Sequence, residues 1–386
     1  MSSLDRTEPN RAEPNRTELD PIASPDVIPP PPAALDPAGP EGPKQKKADN
    51  PELAAKIDGL IAEMGGVPGS MHARLVHDLV STSLKLIPDK RDTGELKLIT
   101  AAVKELRYAY RVFGRYPIPH KCTIFGSART PKDHGDFAAT VEFSKLMADA
   151  GWMIITGAGG GIMEAGHVGP GRDKSFGVAI RLPFETTANE VIAGDQKLIH
   201  FRYFFTRKLM FLSQSEAVAL FPGGFGTMDE AYETLTLVQT GKASMLPIVC
   251  CEGKGETYWQ QFDHWVREGL LKRKLINPED LSLYKLCDTP AEAAQVILKF
   301  YRNYHSSRYV KDDYVIRLKK PLHQKDVERL AEEFKVLIKT GTIVQRGPSD
   351  IEEDNRDLPR LAFHHTRHRF GMIRQLIDRI NECEPA

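Results

Sequence analysis

The sequence predicts an α/β protein, a Rossmann-like parallel sheet with helices on both faces, carrying an N-terminal helical extension and a small C-terminal α+β appendage. Three observations predict it. From Lys121 onward, short apolar runs alternate with helical patterns, the texture of parallel strands joined by crossover helices. Three of the runs lead into glycine-bearing turns: Gly126-Ser127-Ala128-Arg129, Thr156-Gly157-Ala158-Gly159-Gly160-Gly161 and Pro222-Gly223-Gly224-Phe225-Gly226-Thr227. The chain's 386 residues also exceed what one small domain needs and leave room for added segments around one large core.

The elements follow in order. Residues 1–48 are expected to be disordered, because eleven of the 27 prolines fall before residue 44 with few large apolar residues beside them. Such a stretch cannot offset its ordering entropy. Its Pro29–Pro32 run reads as a stiff linker. Order is expected from Asn50-Pro51-Glu52, an N-cap followed by proline at the first helical position, with Leu53, Ile57, Leu60 and Ile61 at helical spacing. Two further helices are expected over about 70–86 and 94–113, completing an extension over residues 49–116. The Rossmann-like core is expected over residues 117–305. Its strands are read at Cys122–Phe125, Trp152–Ile155, Gly177–Ile180, Ala217–Phe221 and Leu246–Cys250. Helices are read over Phe137–Ala150, Met228–Thr240, Tyr258–Leu271 and from Thr289-Pro290 to about Tyr304. In the appendage, residues 306–386, strands are expected at Tyr314–Leu318, Thr342–Gln345 and Leu361–Phe363. Helices are expected from about His323 to Lys339 and near 366–382.

Composition excludes several classes. Lys plus Arg equals Asp plus Glu at 52 each, so no global basic field draws in nucleic acid or an anionic membrane. No stretch approaches the roughly 20 apolar residues that span a bilayer, and no apolar signal-peptide region opens the chain. The five cysteines form no CxxC pair and no metal-ligand spacing, which points to a reduced, cytoplasmic setting.

The chemistry is expected at the carboxyl edge of the sheet, where open α/β sheets bind ligands. Glycine lets backbone N–H groups approach phosphate oxygens, and a helix start favours an anion. One such turn is a weak signal, but three on one edge favour a nucleotide or phosphosugar. Gly157–Gly161 lacks the GxGxxG register with a following acidic ribose reader, and there is no GxxxxGK[ST]. Both facts argue against hydride transfer and ATP hydrolysis. Glu230 and Glu164 occupy equivalent places after the third and second turns. A carboxylate there can stabilise an oxocarbenium-like ribose or activate water, and on position alone it equally complements the helix dipole. Arg207-Lys208 lies within an apolar helix, where charge is costly unless it meets an anion or snorkels to the surface. His364, His365 and His368 form an HHxxH cluster, with His365 and His368 placed to share a helical face. No clear third ligand accompanies them, so no metal site is assigned.

The run Pro222-Gly223-Gly224-Phe225-Gly226-Thr227-Met228-Asp229-Glu230 resembles the PGGxGTxxE signature of the Lonely Guy family, often mislabelled as possible lysine decarboxylases. Arg207-Lys208, the Gly157–Gly161 turn and the Gly126-Ser127 turn stand in that family's order, and the resemblance covers about residues 121–300. It implies a Rossmann-like hydrolase that cleaves the N-glycosidic bond of a nucleoside 5′-monophosphate, giving free base and ribose 5-phosphate without metal or redox cofactor. It implies Arg207 and Glu230 as the catalytic pair. Gly224, Gly226 and Thr227 would hold the 5′-phosphate, with Ser127 and Gly159, Gly160 and Gly161 completing the pocket. Gly126, Gly223, Glu164 and Lys208 join the candidate substrate contacts. The long N-terminal helices, the segment after 306 and Glu164 align the chain with the longer members, so AMP stands beside a cytokinin riboside 5′-monophosphate as substrate. A homo-oligomer is expected, because the apolar flanking helices need partners. The competing reading is a non-catalytic nucleotide sensor or carrier, which needs only the glycine turns.

Overall fold

The computed structural model describes residues 50–117, 120–181, 188–350, 352 and 354–386; the expected disordered tail, residues 1–48, lies outside them. The chain divides into two compact units, Met1–Arg91 and Asp92–Ala386. The described part of the first is a pair of helices, α1 (Pro51–Glu63) and α2 (Met71–Lys85). Asn50 caps α1 by accepting from Glu52 N–H and Ser70 caps α2 by accepting from Ala73 N–H. His77 Nδ1 meets Asp58 Oδ1 at 2.8 Å across the pair.

The second unit opens with α3 (Thr93–Phe113), which starts on a reciprocal capping box between Asp92 and Glu95. A seven-stranded sheet follows: β1 (Lys121–Phe125), β2 (Met153–Thr156), β3 (Ser175–Ile180), β4 (Leu198–Phe201), β5 (Ala217–Leu220), β6 (Ile248–Cys251) and β7 (Tyr284–Cys287). All pairings are parallel and the order is β4-β3-β2-β1-β5-β6-β7. The connecting helices are α4 (Gly135–Asp149), α5 (Ile162–Val168), α6 (Phe204–Ser213), α7 (Phe225–Gln239) and α8 (Tyr258–Trp265), and α9 (Pro290–Phe300) closes the core. From β1 the chain steps one way across the sheet, and from β5 it steps the other. Right-handed crossovers therefore put α4 and α5 on one face and α7 and α8 on the other. This is the Rossmann-like layer the sequence predicts.

Central strands β1, β2, β5 and β6 are buried at every residue, as sandwiched parallel strands must be. The two edge strands, β4 and β7, were not among the strands expected from the sequence. Each is four residues long with an exposed polar residue inside it, His200 and Lys285, so neither gives a continuous apolar run.

The C-terminal part forms an antiparallel sheet of order β10-β11-β9-β8, from β8 (Tyr304–Val310), β9 (Asp313–Leu318), β10 (Ile338–Arg346) and β11 (Arg360–His365), with α10 (Gln324–Glu333) and α11 (Phe370–Glu382). Three expectations need correction here. The helix expected from about His323 to Lys339 ends at Glu333, and Ile338 begins β10. The helix expected to run to about Tyr304 ends at Phe300, and Tyr304 begins β8. His364 and His365 are successive residues of β11, where neighbours point to opposite faces, so the HHxxH cluster shares no helical face. Arg367 and Arg369 both take left-handed backbone conformations, which delays the helix to Phe370. His365 Nδ1 instead meets Tyr309 Oη at 2.7 Å, and His364 Nδ1 meets Thr340 Oγ1 at 2.7 Å.

Asn381 of α11 ties this sheet to the core. Its Oδ1 accepts from Asn303 and Tyr304 N–H, and its Nδ2 donates to Phe300 O. Glu352 and Arg360 form a fully buried ion pair at 3.0 Å, joined by Arg317.

Candidate active site

The loops leaving β1 and β5 diverge, because these neighbouring strands send the chain in opposite directions. That opens a crevice at the strands' carboxyl ends. A cleft of ≈1250 Å³ lies there, lined by all three glycine turns together with Met163, Arg181, His200, Phe204, Arg207, Phe211 and Glu230.

The three turns lock onto one another through backbone atoms. Ser127 N–H donates to Pro222 O at 3.0 Å, and Ile162 N–H donates to Ser127 O at 2.9 Å. A Cβ on Gly126 would collide with Ile162, one on Gly161 with the Ser127 carbonyl, and one on Gly223 with the Thr227 side chain. Gly161 also has φ +58°, a conformation that favours glycine. These three glycines are therefore required by the protein's own packing.

Gly224 and Gly226 are different. A Cβ on either would meet nothing within 4 Å, and neither has a positive φ. The chain itself does not require glycine at these positions; a ligand approaching the backbone would. Gly224 is the N-cap of α7 and offers no side chain to the first-turn N–H groups, which leaves them for an anion. Thr227 adds a hydroxyl in the same turn. Gly160 is intermediate, since a Cβ there would stand 3.5 Å from Ala128 O, an ordinary contact.

Supporting residues that the sequence did not reveal hold the turns in place. Asn189 Nδ2 donates to the carbonyls of Ala158 and Gly159 at 3.0 Å each. Ala158, at φ +66°, is held there by that clamp and by its N–H donating to Thr156 Oγ1. Thr156 Oγ1 also lies 3.0 Å from His167 Nε2, and burial pushes the His167 pKa down to about 4. Tyr258 Oη donates to Gly223 O at 2.7 Å, fixing the third turn from α8. No local sequence pattern marks Asn189 or Tyr258, because each acts on a turn distant in sequence.

Glu230 stands in the second turn of α7, only 6 % exposed, and its Oε2 is buried without a hydrogen-bond partner among the described residues. Burial raises its pKa to about 7, against the lowering influence of Lys208 and Arg207. An unpaired, desolvated carboxyl facing a cleft is characteristic of a functional site. Arg207, from α6, donates through Nε to Val178 O at 2.8 Å, and its guanidinium lies 5.0 Å from the Phe211 ring centroid. Its Nη2 would stand 2.5 Å from a Cβ on Gly157, so Gly157 makes room for it. Glu105 of α3 anchors the start of α6 by accepting from Arg202 N–H and Thr206 Oγ1.

The structure thus gathers Gly126, Ser127, Gly159, Arg207, Gly223, Gly224, Gly226, Thr227 and Glu230 around the cleft. Gly160, Gly161, Glu164 and Lys208 are not among its lining residues. Glu164 pairs with Lys132 at 2.7 Å. Lys208 bridges Asp229 at 2.8 Å and Glu233 at 2.7 Å. Arg129, Arg181, His200 and Phe204 line the cleft without having been singled out from the sequence. The last three flank the ends of β3 and β4, and β4 was not recognised.

The fold is that of a Rossmann-like α/β protein with a cleft at the carboxyl edge of its parallel sheet. Residues 160–297 match the model of the family described as "Possible lysine decarboxylase". No significant match was found among curated proteins. Among solved structures, the molybdenum cofactor binding protein from Rippkaea orientalis is 18% identical, covering 46% of this chain and 93% of its own, with a TM-score of 0.32. The molybdenum cofactor carrier protein from Chlamydomonas reinhardtii is 16% identical over 47% and 98%, with a TM-score of 0.32. DNA processing protein A from Helicobacter pylori is 11% identical over 49% and 83%, with a TM-score of 0.31. Among the described residues, no helix is long and apolar enough to cross a membrane.

Proposed function

We propose that the cleft hydrolyses the N-glycosidic bond of a nucleoside 5′-monophosphate, releasing the free base and ribose 5-phosphate. The observation that carries this reading is Glu230: a buried carboxyl with an unpartnered oxygen, one helical turn from an uncapped anion-binding helix start. The 5′-phosphate sits at the α7 N-terminus, against the backbone of Gly224 and Gly226 and the Thr227 hydroxyl. That position brings the ribose to Glu230 and Arg207. As the bond from C1′ to the base nitrogen breaks, its electron pair leaves with the base, which takes up a proton from solvent. Ionised Glu230 stabilises the developing ribosyl cation and takes a proton from the water that adds to C1′. Arg207 orients the substrate. AMP and a cytokinin riboside 5′-monophosphate are the substrates that the family resemblance supplies. The exposed Phe204, Phe205 and Leu209 of α6 support the homo-oligomer reading, which sedimentation velocity tests.

A non-catalytic nucleotide carrier would need the glycine turns but gains nothing from burying an unpaired carboxyl beside them. Incubation with AMP and isopentenyl-AMP, followed by chromatography for free base, separates the two readings. Release by the native protein and none by Glu230→Gln is expected. Binding without release from these two and from GMP and IMP, or equal release by the variant, would reject the hydrolase.

A further inference from the structure

The end of the cleft opposite the phosphate site is built differently. From β5, whose turn takes the phosphate, the edge runs past β1 and β2 to β3, three strand spacings or ~14 Å. This matches the reach of a nucleoside monophosphate from its phosphate to the far edge of a purine. At that end stand Arg181, directly after β3, and His200 of β4, both lining the cleft. Ile180, the residue before Arg181, and Met163 and Phe204 add apolar surface to the cleft lining, suited to the faces of a flat ring.

We infer that Arg181 and His200 read the edge of the base, and that the cleft prefers a 6-oxopurine nucleotide, GMP or IMP, over one carrying a 6-amino group. The inference rests on the phosphoribohydrolase reading. A guanidinium only donates hydrogen bonds, in a planar fork that fits the paired acceptors O6 and N7 of guanine and hypoxanthine. Adenine sets an N6 amino donor against that fork, and two opposed donors repel. The second residue agrees with the first. Burial and the charge of Arg181 hold the His200 pKa below its ordinary value, so near pH 7 the ring is neutral and keeps one acceptor nitrogen. That nitrogen can take the N1–H which 6-oxopurines carry and adenine lacks. An N6-prenyl group would bring further bulk to the same edge.

The test compares kcat/KM for GMP, IMP, AMP and isopentenyl-AMP, read as base released, in the native protein, Arg181→Gln and Arg181→Lys. The native protein is expected to favour GMP and IMP over AMP by about tenfold or more. Arg181→Gln is expected to move the preference toward AMP, since a carboxamide pairs with adenine N6 and N7. Arg181→Lys keeps the charge without the fork and is expected to lose most of the discrimination. A native preference for AMP, or a ratio that Arg181→Gln leaves unchanged, would overturn the inference and leave the hydrolase reading intact. Release from none of the four would overturn the hydrolase reading. Calorimetric titration of Glu230→Gln with GMP and with AMP would then still show whether Arg181 selects the base.

Discussion

The guanidinium of Arg207 rests against the bare Cα of Gly157, where any Cβ would stand 2.5 Å from Nη2. Both atoms it would displace, Arg207 Nη2 and Met163 Sδ, are at or near the ends of flexible side chains. Gly157→Ala is therefore expected to leave the fold in place while pushing Arg207 out of position. Base release should fall about 100-fold, with a melting temperature within a few degrees of the native protein. Full activity in Gly157→Ala would show that the position of Arg207 does not matter to turnover.

The glycines divide into those the chain needs and those a ligand needs. Gly226→Ala meets no neighbour and replaces glycine within a helix, so stability should hold or rise by up to about 1 kcal/mol. Affinity for the 5′-phosphate should nonetheless drop sharply. Gly161→Ala, at positive φ and against the Ser127 carbonyl, should destabilise the protein outright. Paired urea melts and titrations with a nucleoside monophosphate check both outcomes.

Glu230 couples the site to pH. Its folded pKa, raised to about 7, lies above the ordinary carboxylate value. The fold therefore prefers the protonated form, and this contribution is complete below the ordinary carboxylate range and lost as pH rises through about 7. Glu230→Gln should accordingly gain stability over the native protein at pH 8, by up to about 3 kcal/mol, and almost none at pH 4. Because the mechanism uses the ionised carboxylate, kcat should fall on the acid side with an apparent pKa near 7. A flat profile from pH 5 to 8 would contradict that role.

On the proposed function, Tyr258 positions the turn that holds the phosphate, through its bond to Gly223 O. Removing its hydroxyl in Tyr258→Phe deletes the bond to Gly223 O, worth about 1 kcal/mol. KM should rise about fivefold, with kcat less affected. An unchanged KM would show that the turn holds its shape without this bond.

The C-terminal sheet depends on a buried charge. Burial pushes the Glu352 carboxyl up, but the Ser349 N–H, Arg360 and Arg317 outweigh this and hold its pKa at about 2. Its contribution is present above the ordinary carboxylate range and disappears as pH falls toward 2. Glu352→Ala would leave Arg360 buried without its carboxylate, which should cost about 3–5 kcal/mol in chemical denaturation at pH 7.

Much of this architecture was legible in the sequence because its signals are local. The central strands are continuous apolar runs, the helices announce their caps, and the phosphate turn is contiguous from Pro222 to Thr227. The edge strands were not legible, since β4 and β7 mix exposed polar residues into four-residue segments. The start of β8 at Tyr304 merged with the end of α9 for the same want of punctuation. Within the site, Glu164 and Lys208 sit near the motif in sequence yet turn to partners of their own, Lys132, Asp229 and Glu233. The residues that shape the turns, Asn189 and Tyr258, reach them from 30 or more positions away. Only tertiary structure brings such pairs together.

The backbone bonds that lock the three turns join Ser127 to Pro222 and Ile162 to Ser127, spanning about a hundred residues of chain. Contacts of such sequence separation form late, after the intervening loops have been closed. The edge formed by the three turns therefore comes into being only when β1, β2 and β5 are already side by side. On the proposed function, nucleotide affinity in a refolding experiment measures completion of the sheet, and should appear after helical structure has been regained.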